Sequence, residues 1–478
     1  MWPSGASQPH GIIASPPAGH ELTPEDPFLH PDSSIVDVTA RLARALEDRH
    51  LRTPDEPMVD ADSPATLISR DMDLLAACGE PSRLTSFFLE SVDCPGVSSF
   101  DRVNWRFAKY RIVELGKTCS AIALGIAAIT TLFKAQLYGL PLSGSISLYQ
   151  STKSSFGELL DDQAQEFGHC LVVVFLVILF EFAHPGDGVS TFKEESQLFL
   201  ERLRPWAQHP ESHSELSIRL IIWLKILQTV TMRGGGMGLM SETICCLLPN
   251  YDGPFPSIKP PTNSDLGLSP HLHDVLCAPV FDFYFRLQIL SGQIAKLTHY
   301  HRSRTTGVDQ EEVSQRTAHI KSRLQDLWES RSAIQRETPE DLRDQLAPRL
   351  ANAVTSLVGI CNAAYHAELV EIDRVLGDPV TKWTDSRKAI HQTRHIVDDE
   401  CTASDATKTE GLNPGYLRPL FLYAIECMDK EENQWAIDRI AQIRDPIYRS
   451  KFFSTFAKEL SDAQMRKERR VTSKYFYI

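Results

Sequence analysis

The chain has 478 residues, of which 42% are hydrophobic and 23% charged, as in ordinary globular proteins with a large apolar core. Its formal net charge of −13 argues against broad nonspecific binding to nucleic acid, because such binding needs many Lys and Arg side chains against the phosphates. The length is that of about two or three average domains, or of one large stacked helical domain.

The ten cysteines are scattered, and no two have the Cys-x-x-Cys spacing with which thiolates from one turn hold zinc. Most stand among apolar residues, as in Ile244-Cys-Cys-Leu247. This pattern predicts buried free thiols in a reducing compartment rather than disulfides. The N-terminus lacks a basic segment followed by an apolar one, so we expect no secretion signal.

The first part of the chain divides into an arm and a helical half. Residues 1–34 are rich in Pro, Gly, Ser and His without periodicity, which predicts a disordered arm. Over residues 35–247 apolar side chains recur with a helical period. Ser98-Ser-Phe-Asp101 and Ser212-His-Ser-Glu215 are interpreted as helix-capping sequences. The most apolar run, 170–180, is shorter than the ~20 residues that span a membrane and predicts a buried helix.

The second part begins with a proline-rich linker, 248–275, in which prolines interrupt any helix. The C-terminal helical half, 276–478, is expected to belong to the same domain as the first half. It contains predicted helices at 281–301, 312–327 and 350–375, a polar loop at 401–411, and about three final helices. Because no alternating strand pattern is long enough for a sheet, the predicted class is all-α, a stacked helical array.

Two segments resemble ligand-binding sequences but lack required parts. The glycines of Gly234-Gly-Gly-Met-Gly238 would let backbone amides approach a phosphate, yet no Lys-Ser or Lys-Thr follows, and a turn between helices is predicted. His391 and His395 would share one helix face, but the Glu of a metalloprotease is missing between them, so we interpret this segment as a surface helix. His271, His273 and Cys277 lie near the end of the linker without a zinc spacing.

Acidic pairs at Asp161-Asp162 and Asp398-Asp399 could hold magnesium in an all-helical enzyme, but the further carboxylate at helical spacing is missing. No Gly-x-Ser-x-Gly elbow is present. The basic cluster 466–470 is interpreted as a solvated helix end. The sequence therefore predicts no catalytic residues, no cofactor-binding residues, no cofactor and no metal ligands, and the chain is not expected to be an enzyme.

The C-terminal block from Gly415 onward resembles the end of the regulatory domain of fungal zinc-cluster (six-cysteine) transcription factors. In that family, a Pro-Leu-Phe-Leu helix carrying an acid leads through a Trp to a Gln-x-Arg and Arg-Val tail. The matching residues here are Pro419-Leu-Phe-Leu422, Glu426, Trp435, Gln464-Met-Arg466 and Arg470-Val471. Looser similarity extends back to about Ser98.

The resemblance implies an all-helical fungal-specific transcription factor domain in the nucleus. Its implied partners are other transcription factors or the transcription machinery, with a homo- or heterodimer and a metabolic gene set also suggested. The zinc cluster and its basic linker are absent, so we expect no direct sequence-specific DNA binding by this chain alone, and no membrane partner. Either the gene model is truncated and lacks an N-terminal zinc cluster, or the chain is a stand-alone regulatory domain. The alternatives are an all-helical enzyme acting on an apolar small molecule, and a plain scaffold or degenerate pseudogene product with no independent role.

Overall fold

The computed structural model describes residues 81–184, 190–233, 236–251, 254–260, 268–301, 307–375, 384–407, 411–427 and 429–467. The chain divides into two units, Met1–Asp55 and Glu56–Ile478, and every described residue belongs to the second. The expectations of a disordered arm at 1–34 and of a first helical stripe from 35 onward concern residues outside the described part.

The regular structure of the described residues consists of 17 α-helices and three short 3-10 turns. These residues are about 80% helical and contain no strand, which confirms the predicted all-α class. The helices are α1 Pro81–Ser91, α2 Arg102–Gly116, α3 Ser120–Tyr138, α4 Ser143–Asp161, α5 Phe167–Ala183, α6 Gln197–Ala207, α7 Glu215–Met232, α8 Glu242–Leu247, α9 Leu268–His301, α10 Gly307–Glu329, α11 Ala333–Arg336, α12 Pro339–Gln345, α13 Pro348–Val375, α14 Thr384–Thr407, α15 Leu417–Glu426, α16 Lys430–Ala441 and α17 Ser450–Lys467.

Helix α5 lies at the centre of the first helical group. Its residues Cys170 to Phe180 are all buried, because α3 and α4 cover one side and α7 another. A helix that is apolar around its whole circumference must be enclosed in this way. Gly125 of α3 allows the close approach, since a Cβ there would lie 2.9 Å from Cδ1 of Leu176.

One described helix, α3, is long and apolar enough to cross a membrane, and 61% of its most apolar window is buried inside the fold. Core helices of globular proteins meet the same criterion, so this is weak evidence for a membrane. The predicted buried helix over 170–180 is confirmed as α5.

The later helices continue the stack. Helix α7 packs on both α5 and α9, and α9 in turn packs on α10 and α13. Helix α13 contacts α14 and α15, and α15, α16 and α17 pack against one another as a final group. Helix α9 therefore joins the first group of helices to the last.

Two local predictions are wrong. Asp101 precedes α2 directly but its side chain makes no capping bond, and Ser98 bonds instead to the hydroxyl of Tyr448. The polar segment from Cys401 is not a loop over its first residues, because α14 continues to Thr407. The capping sequence Ser212-His-Ser-Glu215 is confirmed, since Ser214 caps α7 with a hydroxyl that accepts from the amide of Ser217.

Helix α9 begins at Leu268, earlier than the predicted start at Phe281. Pro270 is compatible with this start because the amide hydrogens in the first turn of a helix have no acceptor within the helix, so a residue without one loses no bond there. Pro279 lies inside the helix and leaves one carbonyl of the preceding turn without its usual donor. The earlier start places residues 268–275, which we assigned to the linker, on the same helix as the core residue Phe281.

Candidate functional site

The buried carboxylate of Asp101 is the centre of a polar cluster between α2, α7 and α9. Its Oδ2 accepts hydrogen bonds from Nη1 of Arg219 at 2.8 Å and from Nε1 of Trp223 at 3.0 Å. Its Oδ1 accepts from Nδ2 of Asn104 at 2.9 Å. Arg219 and Trp223 lie one turn apart on α7, so both reach the carboxylate from the same helix face.

Asn104 extends the cluster to a second buried carboxylate, Asp274 of α9. Its Nδ2 also donates to Oδ1 of Asp274 at 2.6 Å, while its Oδ1 accepts from the amide of Ile258 at 2.8 Å. The hydroxyl of Ser257 donates to the other oxygen of Asp274. A single buried amide therefore connects α2, the segment 254–260 and α9.

Arg219 is the buried cation of this cluster, with 1% of its side chain exposed. Besides Asp101, it bonds the carbonyls of Pro256 (from Nε, 2.8 Å) and Phe255 (from Nη2, 3.3 Å), and its guanidinium lies 5.2 Å from the ring centre of Phe281. Burial raises the pKa of Asp101, an effect that the charge of Arg219 and the bonds from Asn104 and Trp223 oppose. A buried charge needs such partners, because leaving it unpaired in an apolar interior is costly.

A small, partly open cleft adjoins the cluster, with room for about one water molecule. Its walls include Asp101, Asp274, His273 and Cys277. Nε2 of His273 lies 3.6 Å from Sγ of Cys277, while Nδ1 of the same ring is buried without a hydrogen-bond partner. Burial raises the pKa of Cys277 to about 12 and lowers the pKa of His273.

The structure thus brings together two of the three residues singled out near the linker. His273 and Cys277 lie one turn apart on α9, whereas His271 is exposed on the same helix. Asp101, Asp274 and Arg219 were not predicted as members of a functional site. A signal was present, since Arg219 interrupts the apolar stripe of α7 and a charged residue there requires a buried partner.

A second buried cluster surrounds Glu368 of α13, which is fully buried. Arg418 of α15 donates to both of its oxygens, at 2.6 and 3.1 Å, and Arg233 at the end of α7 approaches to 3.7 Å. Arg233 also bonds Ser291 and Gln288 of α9. Burial, followed by the charge of Arg418, lowers the pKa of Arg233 to about 10. Glu368 is therefore held by cations from the end of α7 and from α15, and Arg233 has neutral partners on α9 as well.

The residues that carry the family resemblance form contacts between helices near the C-terminus. Glu426 pairs with Arg374 of α13. Nε1 of Trp435 donates to Oδ1 of Asp398 on α14 at 3.2 Å, and Nε2 of Gln464 donates to the carbonyl of Ile425 at 2.6 Å. Pro419-Leu-Phe-Leu422 is buried in α15, and Arg466 is exposed. Arg470-Val471 lies outside the described residues.

The other candidate segments have ordinary surroundings. His391 and His395 are exposed on α14, and Asp161 and Asp162 are exposed at the end of α4. Asp398 of α14 accepts hydrogen bonds from Trp435 and Arg439 of α16, so it connects these two helices.

The glycine-rich turn is only partly described, since residues 234 and 235 lie outside that part. Behind Gly238, which has a positive φ of 73°, Oε1 of Gln228 accepts from the amides of Leu239 and Met240. A side chain of the protein therefore already uses two amides of this turn. Of the basic cluster 466–470, the described residues Arg466 and Lys467 lie in the last turn of α17.

Within the described residues, no group of three or more His, Cys, Asp or Glu side chains is arranged to hold a metal ion. Comparisons with protein-family models, with curated proteins and with solved structures gave no match to this chain.

Proposed function

We propose that this protein is a nuclear regulator of transcription that acts through contacts with other proteins. The observation that carries the proposal is the order and placement of the C-terminal residues that resemble the zinc-cluster regulatory domain. Glu426, Trp435 and Gln464 each bond a neighbouring helix or segment. These bonds attach α15 to α13, α16 to α14 and α17 to α15, so the packing of the C-terminal helices depends on the residues that carry the resemblance.

An exposed apolar corner offers a surface for such contacts. Tyr138 at the end of α3 and Leu140 in the following turn are 67% and 49% exposed, and Ile146 of α4 lies nearby in sequence and is also exposed. Residues 135–152 carry no charged side chain. On a chain with a net charge of −13, a segment without charged side chains of its own reduces like-charge repulsion with a partner, and its exposed apolar area is of the kind that interfaces bury.

The alternative of an all-helical enzyme would draw on Asp101 and Asp274. Both oxygens of each carboxylate already accept bonds from protein donors. The bonds connect distant segments, which is the arrangement of carboxylates that hold a fold together. We therefore propose the regulatory function.

The test is a transcript profile of cells that lack the gene, with rescue by the unchanged chain and by variants. We expect a defined set of transcripts to change on deletion and to return with the unchanged chain. Y138S/L140S should rescue poorly, whereas M237S, which alters an exposed apolar side chain elsewhere, should rescue fully. An unchanged transcript profile in the deletion strain would contradict the proposal.

A further inference from the structure

We propose that the cleft beside Asp101 binds a thiophilic divalent cation of the zinc class, with Nε2 of His273 and Sγ of Cys277 as the protein ligands. Both side chains line the cleft and both belong to α9. The site is independent of the regulatory function proposed above.

The distance between the two donor atoms fits this cation. Tetrahedral zinc has bonds of about 2.3 Å to Cys sulfur and about 2.0–2.1 Å to His nitrogen, which separates the two donors by about 3.6 Å. In the structure, Nε2 of His273 and Sγ of Cys277 are 3.6 Å apart. The four-residue spacing on one helix produces this approach, so the ion can bind without a rearrangement of the backbone.

The charges around the two ligands also favour a cation. Asp101 and Asp274 place negative charge near both His273 and Cys277. Arg219 is already bonded to Asp101 and to two backbone carbonyls, and Arg102 at the cleft is exposed, where solvent screens its charge. A divalent ion in the cleft would compensate the negative charge of the second carboxylate, Asp274, whose two oxygens accept hydrogen bonds only from neutral donors.

The surroundings predict an exchangeable ion. The ion itself would fill the small cleft, and the two tetrahedral positions that the protein ligands leave would be taken by solvent molecules on its open side. Nδ1 of His273 is buried without a hydrogen-bond partner, and partners at that position usually strengthen a metal-bound His by about 10- to 100-fold. We therefore expect reversible binding, unlike that of a closed structural zinc site.

The test is a Co²⁺ titration of the full-length, reduced and metal-stripped chain, monitored by the charge-transfer absorption between thiolate and cobalt. We expect a thiolate band that saturates with one equivalent of Co²⁺ and disappears on addition of Zn²⁺. C277S and H273Q should each abolish it, and C246S, which removes an exposed thiol elsewhere, should retain it. Thermal unfolding followed by circular dichroism checks that each variant is folded.

Two results would overturn the proposal. One is the absence of a thiolate band in the unchanged chain. The other is a band that persists in folded H273Q or C277S. In either case the 3.6 Å contact is a weak hydrogen bond between thiol and imidazole. The titration measures only metal binding. A negative result would therefore overturn the metal site and would not bear on the regulatory function, which the transcript profile tests.

Discussion

The Asp101 cluster and the Glu368 cluster both attach α7 and α9 to the rest of the fold, but they do so with different chemistry. Asp101 and Asp274 are held by one arginine and by the neutral groups of Asn104, Trp223 and Ser257. Glu368 lies between two arginines, Arg233 and Arg418, that come from different helices. The first cluster borders a partly open cleft, whereas Glu368 is fully enclosed.

The two clusters are therefore sensitive to different degrees to the loss of a carboxylate. When Asp101 is lost, its one cationic partner, Arg219, keeps two backbone acceptors, and the neutral donors can turn to one another or to water at the cleft. Glu368 is the counter-charge of two guanidinium groups that are each only 12% exposed, so its loss leaves two largely buried cations without that counter-charge, which is far more costly than an unpaired neutral group. We therefore expect the Glu368 cluster to be the more sensitive of the two.

The largest effect is expected for E368Q. Glutamine has nearly the same shape but no charge, so Arg233 and Arg418 would repel each other without compensation. We expect a loss of about 4 kcal/mol in the free energy of unfolding, measured by urea denaturation. As a control, E114Q removes one member of an exposed pair with Lys117 and should change stability by less than about 0.5 kcal/mol. A loss for E368Q as small as that of the control would show that solvent or other partners compensate the two arginines without Glu368.

A smaller loss is expected for D101N, about 3 kcal/mol by the same measurement. The amide can accept from Arg219 and Trp223, but its NH₂ group then faces the donor NH₂ of Asn104. Arg219 keeps its two backbone acceptors, which limits the loss relative to E368Q. D161N, at an exposed site, is the matched control. If D101N were more damaging than E368Q, the proposed ranking of the two clusters would be wrong.

A third effect is expected from acid, which should lower the free energy of unfolding through His366. This residue lies on α13, two residues before Glu368. Burial, followed by the charge of Arg331, lowers the pKa of His366 from 6.5 to about 4. The unfolded chain therefore binds a proton as the pH falls through 6.5, while the folded chain stays neutral at this residue until about pH 4. Stability from this residue is present above pH 6.5 and is lost as the pH falls towards 4.

At pH 5 this loss amounts to about 2 kcal/mol relative to neutral pH. The measurement compares urea unfolding of the unchanged chain and of H366Q at about pH 5 and at neutral pH. We expect the unchanged chain to lose about 2 kcal/mol more than the variant between the two conditions. Equal losses in both chains would mean that the imidazole is accessible to protons in the folded state.

Helical periodicity was sufficient to predict the class and most of the helices. Apolar stripes predicted from the sequence lie in helices α3, α4, α5, α7, α10 and α13. They could be predicted because an apolar helix face depends only on residues three and four positions apart. Helix ends were harder to predict. A helix can begin before a proline when that proline falls in its first turn, as at Pro270, and a polar segment can remain helical, as in 401–407.

The polar clusters could not be predicted from local patterns. The sequence around Asp101 resembles a cap, and only the fold shows that its carboxylate bonds Arg219 and Trp223, which lie far away in the chain. Similarly, His273 and Cys277 have an informative spacing only once they are known to share a helix. Local rules describe which bonds a side chain can make, and tertiary packing decides which it does make.

Regulation through protein contacts is tested by affinity purification of the tagged chain from its own cells. Quantitative mass spectrometry then identifies the proteins that co-purify with it. We predict enrichment of one or more zinc-cluster transcription factors, reduced for Y138S/L140S and unchanged for M237S. Purification of the folded, unchanged chain without any transcription factor or component of the transcription machinery would contradict the account.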